Sequence, residues 1–351
     1  MWCFFFGYPT LMGNIYFCTM IHQGMFRWIW MGLMLLALGC SEKPPDVSHI
    51  SLSLGFKRMD LQLSEAAPKG PAAVKAVLDS FPDFYRIYVY QLLDLRVPED
   101  SMPIAVARFY LEQDIRDLQD SVNLCFTDLK KEEESITHGF QYFQYYFPKR
   151  TVPQVVFYLF GFNYVAVPLE NNLYLSLDQY LGASSMFLGH LPDYIRTRRR
   201  KEYLPIDAVK AWMMVDFDTL FERKNLGEEM IYMGKIHHLL TRTFPGSPDS
   251  LRFGFSQAQL DFCAINEYKI WNTLLEEEVL NMEDFRMKEK YLGEAPFSPG
   301  MPREAPGRVV EWVGARIVQQ YLEQRQISPD SLMHVSEQEI LLRSGYRPKK
   351  Q

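Results

Sequence analysis

The pattern of hydrophobic and polar positions is most informative in residues 226–280, where two segments with a helical period flank a turn that contains Pro and Gly. In the second segment Glu267 lies on an apolar stripe with spacings of three and four, and Glu229 has the same kind of position in the first. A carboxylate on an apolar face needs a partner. The pattern therefore predicts two facing helices with inward polar groups, the skeleton of a helix-built site.

The rest of the pattern predicts further helices and a few short strands. Helical spacing with Pro or Gly boundaries predicts helices over 71–81, 104–147, 205–221 and 309–325. Capping boxes predict that two more helices begin after Ser256 and Ser336, and Gly314 would let its helix pack closely on the pair in residues 226–280. Apolar runs predict strands over 50–54, 155–160, 164–169 and 173–177. The predicted fold class is α+β and mainly α-helical, with a small antiparallel sheet packed beside a helix bundle.

The first forty residues indicate export and lipid attachment. Residues 25–39 contain one cation and an apolar run too short to span a bilayer, and a Gly-Cys pair follows that run. We interpret them as a lipoprotein signal peptide, because the pair resembles a bacterial lipobox in which Cys40 becomes the acylated first residue. An ordinary secretory signal with a chance cysteine is the alternative. Residues 1–24 indicate a misassigned upstream start, residues 40–49 a tether, and residues 50–351 a single globular domain.

Composition restricts the class of protein. The chain has 351 residues, of which 48% are hydrophobic and 23% charged, as is typical of a globular protein. The formal net charge of −6 argues against a nucleic acid partner, because phosphate binding needs a basic field. Aromatic residues reach 15%, which indicates a heavily packed core or an extended contact surface. Cys125 and Cys263 are interpreted as free core thiols, with a single disulfide as the alternative.

Motifs for catalysis and nucleotide binding are missing from the sequence. It contains no HExxH, GxSxG, GxGxxG or P-loop pattern. The adjacent His237 and His238 would project about 100° apart on a helix, which does not suit one metal ion. We therefore predict no metal, no cofactor and no nucleotide.

The inward carboxylates Glu229 and Glu267 have two interpretations. They could form a catalytic pair, but a structural ion pair with Lys235, Lys269 or Arg308 is the commoner reason for a buried acid. The residues of this region that could line a cleft are Glu229, Lys235, Glu267, Trp271 and Arg308.

A run of cations forms a second candidate surface. Five of six consecutive residues are basic, namely Arg196, Arg198, Arg199, Arg200 and Lys201. Such a run could hold a lipid phosphate or an acidic partner. A solvated helix end is the alternative interpretation.

Several separate motifs, in one order along the chain, resemble those of the gliding-motility lipoprotein family GldB. They are the lipobox-like Cys40, residues 178–182, residues 228–235, Asn266-Glu267 with Ile270-Trp271, residues 305–308 with 312–314 and 317–318, and residues 344–348. The resemblance implies a lipid-anchored cell-envelope protein on the periplasmic face of the outer or inner membrane. It also implies a role in gliding motility and in the associated machinery for secretion of surface adhesins, with envelope proteins as partners.

More distantly, the order of helices is similar to that of gluzincin-type zinc peptidases, with Glu267 where a third metal ligand belongs. Because the HExxH histidines are absent, this resemblance implies a degenerate, peptidase-like scaffold without its metal. Our leading hypothesis is a non-enzymatic envelope lipoprotein that binds a protein or peptide in the cleft. The alternatives are an envelope hydrolase that uses Glu229 and Glu267, and a lipid or glycan binder that uses the cation run.

Overall fold

The computed structural model describes residues 43–160 and 164–350. The chain divides between Pro45 and Asp46 into two units, and every helix and strand of the described residues belongs to the second. The predictions for the signal segment and for Cys40 concern residues outside the described part.

Most of the second unit is helical, which confirms the mainly α-helical prediction. The α-helices are Met59–Ala66 (α1), Pro71–Leu78 (α2), Tyr85–Ile87 (α3), Met102–Leu111 (α4), Gln113–Cys125 (α5), Lys130–Tyr146 (α6), Asp193–Arg196 (α7), Leu204–Asp218 (α8), Leu226–Thr243 (α9), Asp249–Phe253 (α10), Gln257–Ile265 (α11), Glu267–Glu276 (α12), Phe285–Leu292 (α13), Val309–Glu323 (α14), Pro329–Met333 (α15) and Glu337–Arg343 (α16). A π-helical turn, Tyr88–Leu92, continues α3, and 3₁₀ turns cover Ala67–Lys69, Glu99–Ser101, Leu177–Tyr180, Met186–Leu188, Lys201–Tyr203 and Val279–Asn281.

The small sheet is mixed, so the prediction of an antiparallel sheet is wrong in this respect. Its strands are Phe56–Arg58 (β1), Gln154–Tyr158 (β2), Ala166–Leu169 (β3) and Asn172–Ser176 (β4), in the order β1-β2-β4-β3. The pairs β1–β2 and β2–β4 are parallel, and only the β3–β4 hairpin is antiparallel. The central strands β2 and β4 are almost continuously buried, as parallel strands covered on both faces are. Such apolar runs do not reveal strand direction.

The first strand begins later than its alternating pattern predicts. Residues 50–54 have no regular secondary structure, and the sheet pairing starts where Val155 donates to the carbonyl of Gly55. Side-chain amides bind the earlier carbonyls instead, because Gln141 donates to Ile50 and Gln154 donates to Ser53. These bonds satisfy two carbonyl groups of the segment without a neighbouring strand.

Helices cover both faces of the sheet. One face of β2 and β4 packs on α1, α2 and α4, where Phe84 stacks on Tyr174 with ring centroids 3.6 Å apart. The other face packs on α6, α8 and α9. A third apolar cluster joins the first turns of α9 to α12 and α14. The helix α9 therefore lies between two cores, and it is buried on nearly all sides.

The closest packing of helices in the fold joins α9 to α14. A Cβ atom added to Gly314 would lie 1.9 Å from the carbonyl oxygen of Met230, and one added to Gly234 would lie 2.3 Å from that of Gly314. The expectation that Gly314 allows close packing is confirmed. The partner of α9 is nevertheless α14, and not the Glu267 helix that the sequence pattern suggested.

The predicted helix that begins after Ser256 is interrupted. Its capping box is present, since Ser256 accepts from the amide of Gln259 and the Gln259 side chain accepts from the amide of Ser256. At Asn266 the backbone leaves the helical conformation, and the chain begins α12 with Glu267. Residues before and after this break therefore do not share one stripe.

The glycine contact predicts the effect of Gly314→Ala. In an unconstrained helix this change would stabilise by about 1 kcal/mol. Here we expect the free energy of unfolding in urea to fall by about 2 kcal/mol or more, because the methyl group forces the helices apart. Gln319→Ala, on the exposed side of the same helix, should change it by no more than about 0.5 kcal/mol. A Gly314→Ala variant as stable as the parent would contradict the contact.

Candidate functional site

A pocket of about 320 Å³ lies where three segments, distant in the chain, meet. The segments are residues 194–203, residues 250–259 around the start of α11, and the loop 294–308 that leads into α14. Its charged lining consists of Arg198, Arg200, Glu294 and Arg308. Small-molecule sites in proteins begin at about 300 Å³, so the pocket has room for a side chain or two of a ligand.

The cation run reaches the pocket through a turn that follows α7. In this turn the amides of Arg198 and Arg199 donate to the carbonyls of Ile195 and Arg196, and Arg200 has an extended backbone. Arg200 forms a bridge with Leu181, and the amide of Gly182 donates to the carbonyl of Arg199 at 2.8 Å. Arg198 and Arg200 line the pocket, and Arg199 does not.

The position of Arg198 depends on a glycine. Gly254 ends α10 with φ of +68°, in the left-handed region that favours glycine. A Cβ atom there would lie 2.3 Å from Nε of Arg198. The Arg198 guanidinium lies against this bare backbone and donates from Nη1 to Glu294.

Arg308 closes the inner end of the pocket. It is the N-cap of α14 and has φ of +60°, an uncommon conformation for a residue with a side chain. Its guanidinium donates to Glu311 at 3.1 Å and to the carbonyl of Phe253 at 3.3 Å, and its Nε lies 3.7 Å from Glu294. Three partners from separate segments thus hold this conformation.

The loop that carries Glu294 is attached to α14. The buried hydroxyl of Ser298 donates to the carbonyl of Pro306 at 2.8 Å and accepts from the amide of Val309 at 3.2 Å. Glu294 itself lies among arginines. Burial raises the pKa of its carboxyl group, but Arg308 and Arg198 outweigh this effect and lower the pKa, so Glu294 is ionised.

A buried cluster of charges lies behind Arg308. Glu311 accepts from Arg308, from Nε2 of His237 at 2.7 Å, and from Lys210 at 3.2 Å. Burial raises the pKa of Glu311, but Lys210, Arg308 and the hydrogen bond from His237 hold it well below the usual range. This carboxylate is therefore the anionic centre that joins α8, α9 and α14.

His237 is neutral within this cluster. Burial and the nearby Lys210 lower its pKa to about 4, although Glu311 favours the charged form. Because Glu311 is ionised, Nε2 of His237 carries the proton and donates it. Nδ1 is buried and has no hydrogen-bond partner among the described residues, and the ring stacks on Phe253 at 4.2 Å.

The two carboxylates of the predicted cleft have separate partners. Glu229 pairs with Arg223 at 3.0 Å and lies 3.7 Å from Lys288. Glu267 accepts from Arg316 and from the hydroxyl of Tyr346, both at 2.8 Å. The ion pairs suggested by the sequence, with Lys235, Lys269 or Arg308, are not the ones that form.

The other predicted cleft residues are also distributed. Lys235 is 1% exposed and donates to Glu337 at 2.9 Å and to the carbonyl of Val335 at 2.5 Å. Trp271 packs edge-on against Tyr346, the residue that also binds Glu267. Glu267 and Trp271 thus share Tyr346 as a neighbour. Of the five predicted cleft residues, only Arg308 lines the pocket.

The predicted cation surface is divided by the fold. Arg198 and Arg200 line the pocket, whereas Arg196 forms an ion pair with Asp193 in the same helix. Arg199 and Lys201 are outside the pocket lining.

Glu294, Glu311 and Lys210 were not predicted from the sequence as members of a site. One available signal was Glu311, an acid within the apolar helix over 309–325 that lies three residues after Arg308. His237 was considered only as a metal ligand. The meeting of these side chains in one site has no local signal in the sequence, because residues about 100 positions apart make the contacts, as Lys210 and Glu311 do.

Other features of the described residues concern metals, thiols and membranes. Within 43–160 and 164–350, no group of three or more His, Cys, Asp and Glu side chains could hold a metal ion. Cys125 and Cys263 are free; Cys263 is buried, and Cys125 is half-buried. No helix in the same ranges is long and apolar enough to cross a membrane.

The fold and the pocket define a mainly helical protein with a small mixed sheet and an arginine-lined pocket over a buried charge cluster. The chain belongs to the family described as gliding motility protein GldB, whose model matches residues 40–348. This membership indicates a role in gliding motility and an involvement with the motility machinery. No curated protein and no solved structure gives a significant match.

The lowered pKa of His237 predicts a pH dependence of stability. Between about pH 4 and 6.5 the unfolded chain binds a proton that the folded chain does not. The neutral histidine therefore makes its full contribution to the free energy of unfolding above pH 6.5. About 3 kcal/mol of that free energy is lost as the pH falls to 4. In His237→Gln the amide can still donate to Glu311 but does not titrate. We expect urea unfolding of this variant to depend on pH with a slope smaller by one proton over this range.

Two other positions provide the comparison. The pKa of His238 is also lowered to about 4, through burial and Arg242, so part of the pH dependence should remain. Gln319→Ala, which removes no titratable group, should keep the parent slope. An unchanged slope in His237→Gln would show that His237 is not held neutral by this cluster.

Proposed function

We propose that this protein is a lipid-anchored, non-catalytic component of the cell envelope whose pocket binds a protein partner in the gliding and adhesin-secretion machinery. In this proposal Cys40 carries the lipid, and the folded unit lies on the periplasmic face of the outer or inner membrane. The observation that carries the anchor is that the family match begins at Cys40 itself. The residues before it fit a signal peptide.

The proposed partner site is the arginine-lined pocket. Its walls come from elements that are fixed on the core, through the α9–α14 contact and the Ser298 hydrogen bonds. A pre-formed concave site with a few fixed charged groups suits the recognition of a ligand. This supports binding at the pocket rather than across the predicted Glu229–Glu267 cleft, whose members lie in different ion pairs.

The absence of catalysis is part of the same proposal. A carboxylate pair for acid and base chemistry needs both groups near one substrate position. Glu229 and Glu267 are each bound by an arginine and share no partner among the described residues. His237 donates a hydrogen bond to Glu311 and is stacked on Phe253, which suits a structural group better than a general base. Peptide cleavage that a chelator abolishes, in the purified protein, would contradict this part.

Cys40→Ala tests the anchor. We expect the parent protein to fractionate with membranes and to show the mass of acyl chains on an N-terminal peptide that begins at Cys40. The variant should lose this mass, leave the membrane fraction and fail to support gliding. Cys125→Ala, which removes a free thiol of the folded unit, should behave as the parent does. A Cys40→Ala protein that still fractionates with membranes would overturn the lipid anchor.

Arg200→Gln tests the pocket in cells. Arg200 is exposed, so its replacement should leave the level and the membrane fraction of the protein unchanged. We expect gliding speed to fall several-fold if the pocket holds a motility partner. Arg196→Gln, in the same cation run but outside the pocket, is the matched control. Normal gliding in Arg200→Gln cells would show that the pocket does not bind a motility partner.

A further inference from the structure

We propose that the ligand of the pocket is an acidic peptide segment, with a carboxylate side chain held between Arg198 and Arg200. This inference rests on the proposed function, because it gives the chemistry of the partner at the same site. Three arginines and one glutamate line the pocket of a chain whose net charge is −6. The pocket is thus a local basic site on an acidic protein, which attracts an anion over a short range only.

Arg200 has donors available for a ligand. Its guanidinium lies over the ring of Tyr203, 5.4 Å from the centroid, and within 3.5 Å of the Tyr203 hydroxyl. In the described part of the chain no carboxylate lies within ion-pairing distance of it. The ring holds the side chain at the pocket and leaves most of its donors open. An arginine that is positioned in this way suits a planar carboxylate.

Arg198 is only partly satisfied. Its Nη1 donates to Glu294, whereas Nε is buried and has no hydrogen-bond partner among the described residues. A buried donor without an acceptor costs about 1–3 kcal/mol. Because Nε lies against Gly254, an incoming carboxylate would instead accept from Nη1, beside Glu294.

Glu294 shows which chemistry the pocket accepts. Its carboxylate already lies between Arg198 and Arg308, so a carboxylate from the chain itself occupies part of the site. A second acidic group would bind beside it at Arg200, or would displace it from Arg198. In either case the negative charge of Glu294 opposes the ligand. Its removal should therefore strengthen binding.

The lining favours a peptide over a lipid. Tyr194, Tyr203, Phe255, Ala295 and Pro306 contribute to the lining, but most of its surface is polar, and none of the exposed large hydrophobic side chains among the described residues borders it. Acyl chains would therefore find only a small apolar surface there. The remaining wall includes Thr197, Ser250 and Gln257. Hydroxyl and amide groups of this kind pair with the backbone of a peptide.

The test is calorimetric titration of the full chain, purified from membranes in detergent, with hexaglutamate as the probe. We expect saturable binding that weakens as salt is added. Arg200→Gln should weaken it on the order of tenfold, since it removes a charge-assisted contact. Glu294→Gln should strengthen it several-fold. Arg196→Gln should leave it unchanged, and thermal melts should show that all three variants are folded.

Two small probes separate the sources of the anion. Inorganic phosphate and dihexanoyl-phosphatidylglycerol, a water-soluble short-chain lipid, should each bind at least tenfold more weakly than hexaglutamate. Equal or tighter binding of either probe, with the same dependence on Arg200, would overturn the assignment to a peptide. No binding of hexaglutamate, or binding that neither Arg200→Gln nor Glu294→Gln alters, would overturn it too.

The result of the titration can fail or succeed independently of the gliding experiment that tests the proposed function. If hexaglutamate binds as expected while Arg200→Gln cells glide normally, the ligand chemistry stands and the motility role of the pocket fails. If gliding depends on Arg200 while hexaglutamate does not bind, the role stands and the acidic ligand fails.

Discussion

The structure depends on a contact between two helix backbones. Gly234 of α9 and Gly314 of α14 meet where no side chain could fit. His237 lies three residues after Gly234 on α9, and Glu311 lies three residues before Gly314 on α14. Nε2 of His237 is 2.7 Å from the Glu311 carboxylate, within hydrogen-bond distance. A wider spacing of the helices would break this bond and leave the Glu311 carboxylate with fewer partners in the core. The close approach therefore positions the charge cluster, and Arg308 with it, behind the pocket.

The features that the sequence predicted well are those with local causes. The capping box at Ser256 and the end of α9 before the turn that contains Pro and Gly depend on hydrogen bonds within one or two turns, which the order of residue types specifies. Gly314 could be recognised as a packing position because glycine inside an apolar helix has few other uses. Sheet direction, the interruption at Asn266 and the choice of α14 as the partner of α9 depend on contacts between remote segments. Their patterns were compatible with more than one arrangement.

The candidate site shows the same division. Glu229 and Glu267 were expected to need partners, with Lys235 among the candidates, but periodicity does not say which partner a buried charge finds. The tertiary structure pairs each of them separately. The cation run was visible in the sequence, whereas the turn after α7 and the bridge between Leu181 and Arg200, which decide which of its side chains line the pocket, were not. A site built from three distant segments is beyond local reasoning.

In our proposal, the pocket held by α9 and α14 is where this protein contacts its partner. The most direct test is photo-crosslinking in gliding cells, with a photoreactive amino acid at Thr197, an exposed residue of the pocket rim. We expect a discrete crosslink to an envelope protein with an acidic segment, which disappears in Arg200→Gln and is absent when the probe is at the exposed Leu124. A crosslink pattern that is the same at Thr197 and Leu124, or one that Arg200→Gln leaves intact, would contradict the claim.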